Sequence, residues 1–308
     1  MRERIDGETG RRTGLPVRAL ARSDAEYPAA LRELPDAPET LHVRGRLDDE
    51  DALAVAVVGS RRATPYGLEV AETLAADLAA RGVTIVSGLA RGIDSAAHRG
   101  ALRVGGRTVA VLGTGVDVVY PPENRRLAEE IVERGALVSQ FAPGTPPLPQ
   151  NFPTRNHVIA AMALAVVVVE AAERSGSLIT ARLGAELGRE VLAVPGRVTS
   201  PESRGANRLI QDGAALALDW EDVVASLPER WKRCLREAPA PAAAPEPVEA
   251  PEARRVLALL GEDPVEIDRV IERSGLAAGR VSAALLDLEL NGRVRQIEGK
   301  RFVRVGRG

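Results

Sequence analysis

Between residues 55 and 196 the chain alternates two hydrophobic rhythms. Short unbroken runs of Val, Ile, Leu and Ala stand at 55–59 (VAVVG), 83–88 (VTIVSG), 107–113 (RTVAVLG), 136–140 (ALVSQ), 163–171 (ALAVVVVEA) and 190–196 (EVLAVPG). Between them lie longer stretches of helical type, YGLEVAETLAADLAARG at 66–82, IDSAAHRGAL at 93–102, ENRRLAEEIVERG at 123–135 and LITARLGAELG at 178–188. A run that is continuous instead of alternating belongs to a strand buried on both faces, which is the mark of a parallel sheet covered by helices. The pattern predicts an α/β, Rossmann-like doubly wound parallel sheet. Residues 1–50 predict only a helix, turns and a short strand, an N-terminal attachment to the sheet domain at 51–228.

The rhythm breaks at 237–251, EAPAPAAAPEPVEAP, a Pro/Ala/Glu tract that can neither pair as a strand nor bury a core. A linker is expected over 229–250. Beyond it, EARRVLALL, VEIDRVIERS, a turn at Gly275, AAGRVSAALLDLELNG and the alternating segments RVRQIEG and KRFVRV predict three helices and a hairpin. That order is a small winged-helix domain at 251–308.

With 308 residues, 45% of them apolar, the chain can build one large core and one small one. Its one cysteine, Cys234, has no partner for a disulfide or metal, and no apolar run approaches a membrane span. The start, MRERIDGETGRR, is charged and is not followed by an apolar stretch, so no secretory signal is expected. A cytoplasmic protein without membrane partners is the expectation. The formal charge of −2 argues against coating nucleic acid by bulk electrostatics and confines any anion site to a local patch. Of the 41 basic residues only Lys232 and Lys300 are lysines. Compositional bias toward Arg and Ala accounts for that most simply.

In an open parallel sheet ligands bind beyond the carboxyl ends of the strands. Four such junctions carry small residues: Gly59-Ser60-Arg61-Arg62, the 87–92 segment with Gly88 and Arg91, Gly113-Thr114-Gly115, and Ser175-Gly176-Ser177 with Thr180 just beyond. Each precedes a helix whose free N–H groups and positive dipole end favour an anion. One such loop is commonplace; four on one edge, with Arg61, Arg91 and Arg155 among them, point to a phosphate-binding surface. The loops match neither G-x-G-x-x-G nor G-x-x-x-x-G-K-[ST], so neither a dinucleotide nor a P-loop triphosphate is expected, and no cofactor is. His42, His98 and His157 are scattered, with His98 inside a helix as a packing or capping residue, and Asp94, Asp117 and Glu170 stand where acids commonly cap helices. No set of residues combines a nucleophile with a positioned base, and an enzyme is not expected.

The segment QNFPTRNHVI at 150–159 differs in kind. Single strands are held by Arg on phosphates and by ring stacking on bases, roles open to Phe152 and Arg155. A hydrophobic staple at Phe152 and a surface ion pair at Arg155 account for the same letters equally well.

The ordered motifs VAVVGSRRATPYG, VSGLARGIDSAAHRGAL, VLGTGVDVVYPPENRRL, FPTRNHVIAAMA, VVVVEAAERSGSLITARLGAELGREVLAVPG and GANRLIQDGA, over about residues 20–225, resemble the DNA-processing protein A (DprA/Smf) family. The C-terminal module resembles that family's variable third domain. The resemblance implies an extended Rossmann fold, dimerisation through it, sequence-independent binding of single-stranded DNA, and loading of the RecA recombinase in natural transformation. Carried onto this chain by motif it implies DNA contacts at Gly59, Ser60, Arg61, Phe152, Arg155 and Asn156, with Ser175, Gly176, Ser177 and Thr180 as a structural or anion-binding loop on the same edge; the strand-end loops add Arg62 and Arg91 as DNA contacts and Gly88, Gly113 and Thr114 as anion-binding positions. One departure stands out: only about twenty residues precede Asp24, where family members often carry a helical domain. Two other classes remain open, a phosphoribohydrolase-like enzyme and a winged-helix transcription regulator. The first lacks the P-G-G-x-G-T-x-x-E run, and the second offers only Arg280 on its presumed recognition helix.

Overall fold

The computed structural model describes residues 15–238, 251–261, 264–290, 293–297 and 299–304. The chain folds as two compact units divided between Ala238 and Pro239. The charged start at 1–14 and most of the Pro/Ala/Glu tract, 239–250, lie outside the described residues.

The first unit opens with β1 (Arg18–Ala21), α1 (Ala29–Arg32) and β2 (Thr40–Gly45), followed by β3 (Ala54–Val58), α2 (Pro65–Ala80), β4 (Thr84–Ser87), α3 (Ile93–Arg103) and β5 (Thr108–Val111). Next come α4 (Arg125–Arg134), β6 (Ala136–Ser139), α5 (Asn151–Met162), β7 (Ala165–Val168), α6 (Gly176–Glu186) and β8 (Glu190–Ala193). It closes with α7 (Arg204–Gln211), β9 (Ala215–Leu216), α8 (Trp220–Ser226) and α9 (Glu229–Lys232). The strands form one sheet in the order β1-β2-β6-β5-β4-β3-β7-β8-β9, parallel from β6 to β9. The first parallel strand, β3, therefore lies in the middle, and the winding reverses between β3 and β7.

The apolar runs do what continuity predicts. All five residues of β3 are buried, Ala54, Ala56 and Val58 in the core shared with Val158–Met162 of α5, and Val55 and Val57 in the opposite core with Ala71, Leu74, Ala75 and Leu78 of α2. Local signals set the helix starts. Thr64 caps α2, accepting from the Gly67 N–H, with Pro65 in the first helical position, and Asp219 caps α8 through the N–H groups of Glu221 and Asp222.

Two boundaries differ from the sequence reading. Residues 15–50 are no mere attachment: β1 pairs with β2, and β2 pairs antiparallel with β6, placing Leu41 and Val43 in the main core with no exposure. The strand's partner lies far ahead in the chain, so no local pattern shows the pairing. At the other end residues 229–236 are not linker, because Trp231 and Leu235 pack on the α2 side of the sheet and the Arg236 N–H donates to the Arg81 carbonyl at 2.9 Å.

The second unit contains α10 (Pro251–Leu257), β10 (Val265–Glu266), α11 (Ile267–Ser274), α12 (Ala278–Leu290), β11 (Val294–Ile297) and β12 (Arg301–Arg304). Gly275, at φ +65°, ends α11 in the left-handed conformation. The hairpin is joined by the two-residue β10, which the sequence did not signal, in the order β10-β12-β11. Val256, Val270, Val281, Leu285, Leu288 and Phe302 form its core. This is a winged helix. Arg280 of α12 is ion-paired with Glu252 of α10, which commits the one cation of the presumed recognition helix. Among the described residues, no helix is long and apolar enough to cross a membrane.

Candidate nucleic-acid interface

A cleft of about 680 Å³ opens where the strand order reverses, at the carboxyl ends of β3 and β7. It brings together Gly59, Ser60, Arg61 and Arg62 after β3, Phe152, Arg155 and Asn156 on the first turns of α5, and Ser175, Gly176, Ser177 and Thr180 at the start of α6. Segments about 120 residues apart in sequence thus form one surface. Arg91, Gly88, Gly113 and Thr114 do not line it.

Its centre is a stack of flat groups. The Arg61 guanidinium lies 5.3 Å from the Phe152 ring centroid, and on that ring's other contact Tyr120 approaches to 5.8 Å with the planes tilted by 46°. Gly113 serves this stack indirectly: a Cβ there would lie 2.8 Å from Phe152 Cδ1, so only a bare backbone lets the ring settle. Phe152 is half-buried, Arg61 is exposed, and Tyr120 keeps 37% of its surface open. A ring that keeps part of its face open and carries a cation is a platform on which a base of any identity can stack.

Arg155 has a different use from the one expected. It is 3% exposed, and one guanidinium nitrogen donates to the carbonyls of Gly88 and Val111, while Nε donates to Asn156 Oδ1 at 3.2 Å. Beneath it the buried Asp94 accepts from the N–H groups of Gly88 and Ala90 at 3.1 and 3.3 Å. Burial raises the Asp94 pKa, and the charge of Arg155 opposes that rise; burial in turn pushes Arg155 down to about 10, which leaves it charged at neutral pH. Arg155 is a buried strut joining α5 to the ends of β4 and β5. A Cβ on Gly88 would strike its guanidinium at 2.5 Å, so Gly88 is a clearance for Arg155 and not an anion loop.

The four helix starts are also unequal. At α2 the buried Glu170 carboxylate accepts from the Thr64 N–H at 2.8 Å and from the Thr64 hydroxyl, while the Glu170 carbonyl accepts from the Ser60 N–H at 2.8 Å. Glu170 adopts φ +54°, an unusual conformation for a side-chain-bearing residue, and from there it holds both ends of the 60–64 loop. At α3 the acid is Asp94, and Thr114 is buried with its hydroxyl donating to the Val118 carbonyl at 2.6 Å. Arg91 is exposed outside the cleft and ion-paired with Glu123. The start of α6, capped by the Ser175 hydroxyl, faces the cleft with no carboxylate in its first turn and none folded onto it among the described residues.

Three cations reach the cleft from its exposed rim, Arg61, Arg62 and Arg174, and none has an ion pair among the described residues. Arg174 and Tyr120 were not singled out from sequence. Arg174 adjoins the Ser175 turn, which was a usable signal, but nothing local tells that Tyr120 folds back onto Phe152. Among the described residues no group of His, Cys, Asp and Glu could hold a metal ion. His98 is a packing residue: its Nδ1 lies 2.7 Å from Thr108 Oγ1, its Nε2 is buried without a partner, and burial drives its pKa down to about 3.

The family of DNA recombination-mediator protein A matches residues 18–228, and the DprA winged helix domain matches residues 238–300. Protein Smf of Escherichia coli (strain K12) is 42% identical over 299 residues, covering 95% of this chain and 79% of that protein. Among solved structures, DNA processing protein A from Streptococcus pneumoniae superposes with a TM-score of 0.66 at 43% identity, over 69% of this chain and 75% of that one. DNA processing protein A from Helicobacter pylori, whose structure concerns its single-stranded DNA binding mode, gives a TM-score of 0.58 at 32% identity, over 64% of this chain and 90% of that one. The family match begins at β1, the strand that opens the nine-stranded sheet, and runs through every segment of the cleft. The chain belongs to the DNA recombination-mediator protein A (DprA/Smf) family.

Proposed function

We propose that the cleft binds single-stranded DNA without reading its sequence, and that the protein acts in the cytoplasm as a mediator that loads the RecA recombinase onto the strand in recombination and natural transformation. The observation that carries this is the Arg61–Phe152–Tyr120 stack beside arginines without an ion pair among the described residues and beside the amino end of α6. The ring and guanidinium take bases by their faces, which every base has, while Arg61, Arg62 and Arg174 take phosphates. Neither interaction uses base edges. The single-stranded DNA binding described for the Helicobacter pylori relative supports the same reading.

The protein is read as a binding protein and not an enzyme, since the carboxylate on the cleft wall, Asp94, is committed to two N–H groups and the charge of Arg155. A homodimer is part of the proposal. The edge strand β9 is exposed, with Leu216 and, just beyond it, Leu218 open by 42% and 69%, and two-fold pairing of such edges would double the strand-binding surface.

Gel shifts with single-stranded and duplex oligonucleotides across a salt series test the reading. The single strand is expected to bind tightly, regardless of sequence, and the fragment 1–238 nearly as well as the whole chain. Preference for duplex, or loss of binding in a folded 1–238 fragment, would transfer the activity to the winged helix.

A further inference from the structure

We propose that the cleft accepts a single nucleoside 5′-monophosphate, phosphate at the amino end of α6 and base against Phe152, so that free nucleotides compete with a DNA strand. The inference rests on the strand-binding reading and names the smallest unit that the site recognises.

The phosphate end is defined by two independent features. The eleven-residue α6 starts at Ser175 with no acid in its first turn, whereas the corresponding ends of α2 and α3 are occupied by Glu170 and Asp94. The Ser177 N–H donates to the Ser175 cap and the Leu178 N–H to the Ser175 carbonyl, which leaves the Gly176 N–H and the positive end of the helix to an outside anion. The second feature is Thr180, one turn further on, which lines the cleft, is 1% exposed, and gives its hydroxyl no hydrogen bond to any described residue. Helical side chains lean toward the amino end of their helix, which directs this hydroxyl back to the open turn. The side chain is otherwise enclosed, so this hydroxyl can be met only from the cleft, where a phosphate oxygen can accept from it. Ser175 and Ser177 hydroxyls, 2.7 Å apart, and the exposed Arg174 border the same place.

The base end is carried by α5. Phe152 and Asn156 stand four apart on α5, hence on one face with a rise of about 6 Å between them. Asn156 Nδ2 donates to the Gly176 carbonyl at 3.3 Å, which ties that face to the start of α6. The proposal places the base on the Phe152 ring and the phosphate at Gly176, with the ribose bridging them past Asn156. The volume of about 680 Å³ falls among small-molecule sites. A terminal monophosphate also carries nearly two charges where a diester carries one, so it exploits the open helix end more fully.

The test uses the full chain and a fluorescent oligothymidylate, displaced by thymidine 5′-monophosphate, thymidine or inorganic phosphate. The monophosphate is expected to displace the strand at least tenfold more effectively than either fragment. Thr180→Val, which keeps the packing, and Asn156→Asp, which keeps the acceptor for Arg155 but adds a charge at the phosphate place, should each shrink that preference to threefold or less. Thr180→Val should melt no lower than the parent. Equal displacement by thymidine and its monophosphate, or an unchanged preference in both folded variants, would overturn the proposal. A strand that binds but is not displaced by the monophosphate overturns it too and leaves the strand reading standing. If no strand binds, that reading falls; calorimetric binding of the monophosphate, weakened by Thr180→Val, would still support the nucleotide site, and absence of heat would overturn it.

Discussion

The Arg61 guanidinium sits over the Phe152 ring, 5.3 Å from its centroid, so the charge proposed to meet phosphate and the face proposed to meet bases are held by each other. Removing either disturbs both. Arg61→Ala is expected to flatten the dependence of log K on log salt by about 0.7, the loss of one phosphate contact, and Phe152→Ala to weaken binding by about 1–3 kcal/mol with little change of slope. Because the two groups touch, the double variant should lose less than the sum, by about 0.5 kcal/mol or more in a double-mutant cycle. Strict additivity would show that the stack is not maintained in solution.

Arg155 should behave as a structural residue. Truncating it leaves Asp94 buried without its compensating charge and two carbonyls without a donor, a loss of about 3–5 kcal/mol of stability. The salt slope of whatever Arg155→Ala protein remains folded should match the parent. Denaturant melts read the first effect and strand titrations the second; a stable variant with a flattened slope would make Arg155 a direct phosphate ligand.

Gly113→Ala separates ring position from charge. The added methyl would stand 2.8 Å from Phe152 Cδ1, so the ring must leave its place beside Tyr120 and Arg61. Strand affinity should fall toward that of Phe152→Ala while the melting temperature changes by only a few degrees and the salt slope persists. Unchanged affinity would remove Phe152 from the interface.

His98 predicts an acid limit to stability. Its ring is held neutral in the fold, chiefly by burial and further by the charges of Arg155 and Arg99, with a pKa of about 3 against an ordinary value near 6.5. Above pH 6.5 both states are neutral and nothing is lost. Below it the unfolded chain takes a proton that the folded chain refuses, so stability falls with pH, by about 2 kcal/mol at pH 5. Thr108 keeps its hydroxyl donation to the Ile85 carbonyl at 2.8 Å without the imidazole, so His98→Leu remains foldable. Denaturant midpoints of that variant should be flat between pH 6.5 and 5; a slope equal to the parent's would assign the acid sensitivity elsewhere.

The parallel sheet, its two covered faces and the winged helix were legible in the chain because each rests on local rules. Runs such as VAVVG have to be buried on both sides, Gly275 stops a helix, and Pro65 after Thr64 starts one. The loops after β3 and β7 and the start of α5 were legible as parts of one edge, since loops after parallel strands share it by construction, whereas Tyr120 and Arg174 were not and Gly88, Arg91, Gly113 and Thr114 fell outside the cleft. What those residues do there was decided only by the tertiary structure. Arg61 and Arg155 look alike in sequence, yet one stands in solvent over a ring and the other lies buried on two carbonyls, because α5 crosses the ends of β4 and β5. Of four similar helix starts, Glu170 and Asp94 fold onto two and Thr114 is sealed on the third, which leaves the start of α6 as the proposed anion site. Strand β2 and the Tyr120 contact depend on partners distant along the chain, and the energy of such a contact exists only once the chain has closed on itself, which no window of sequence contains.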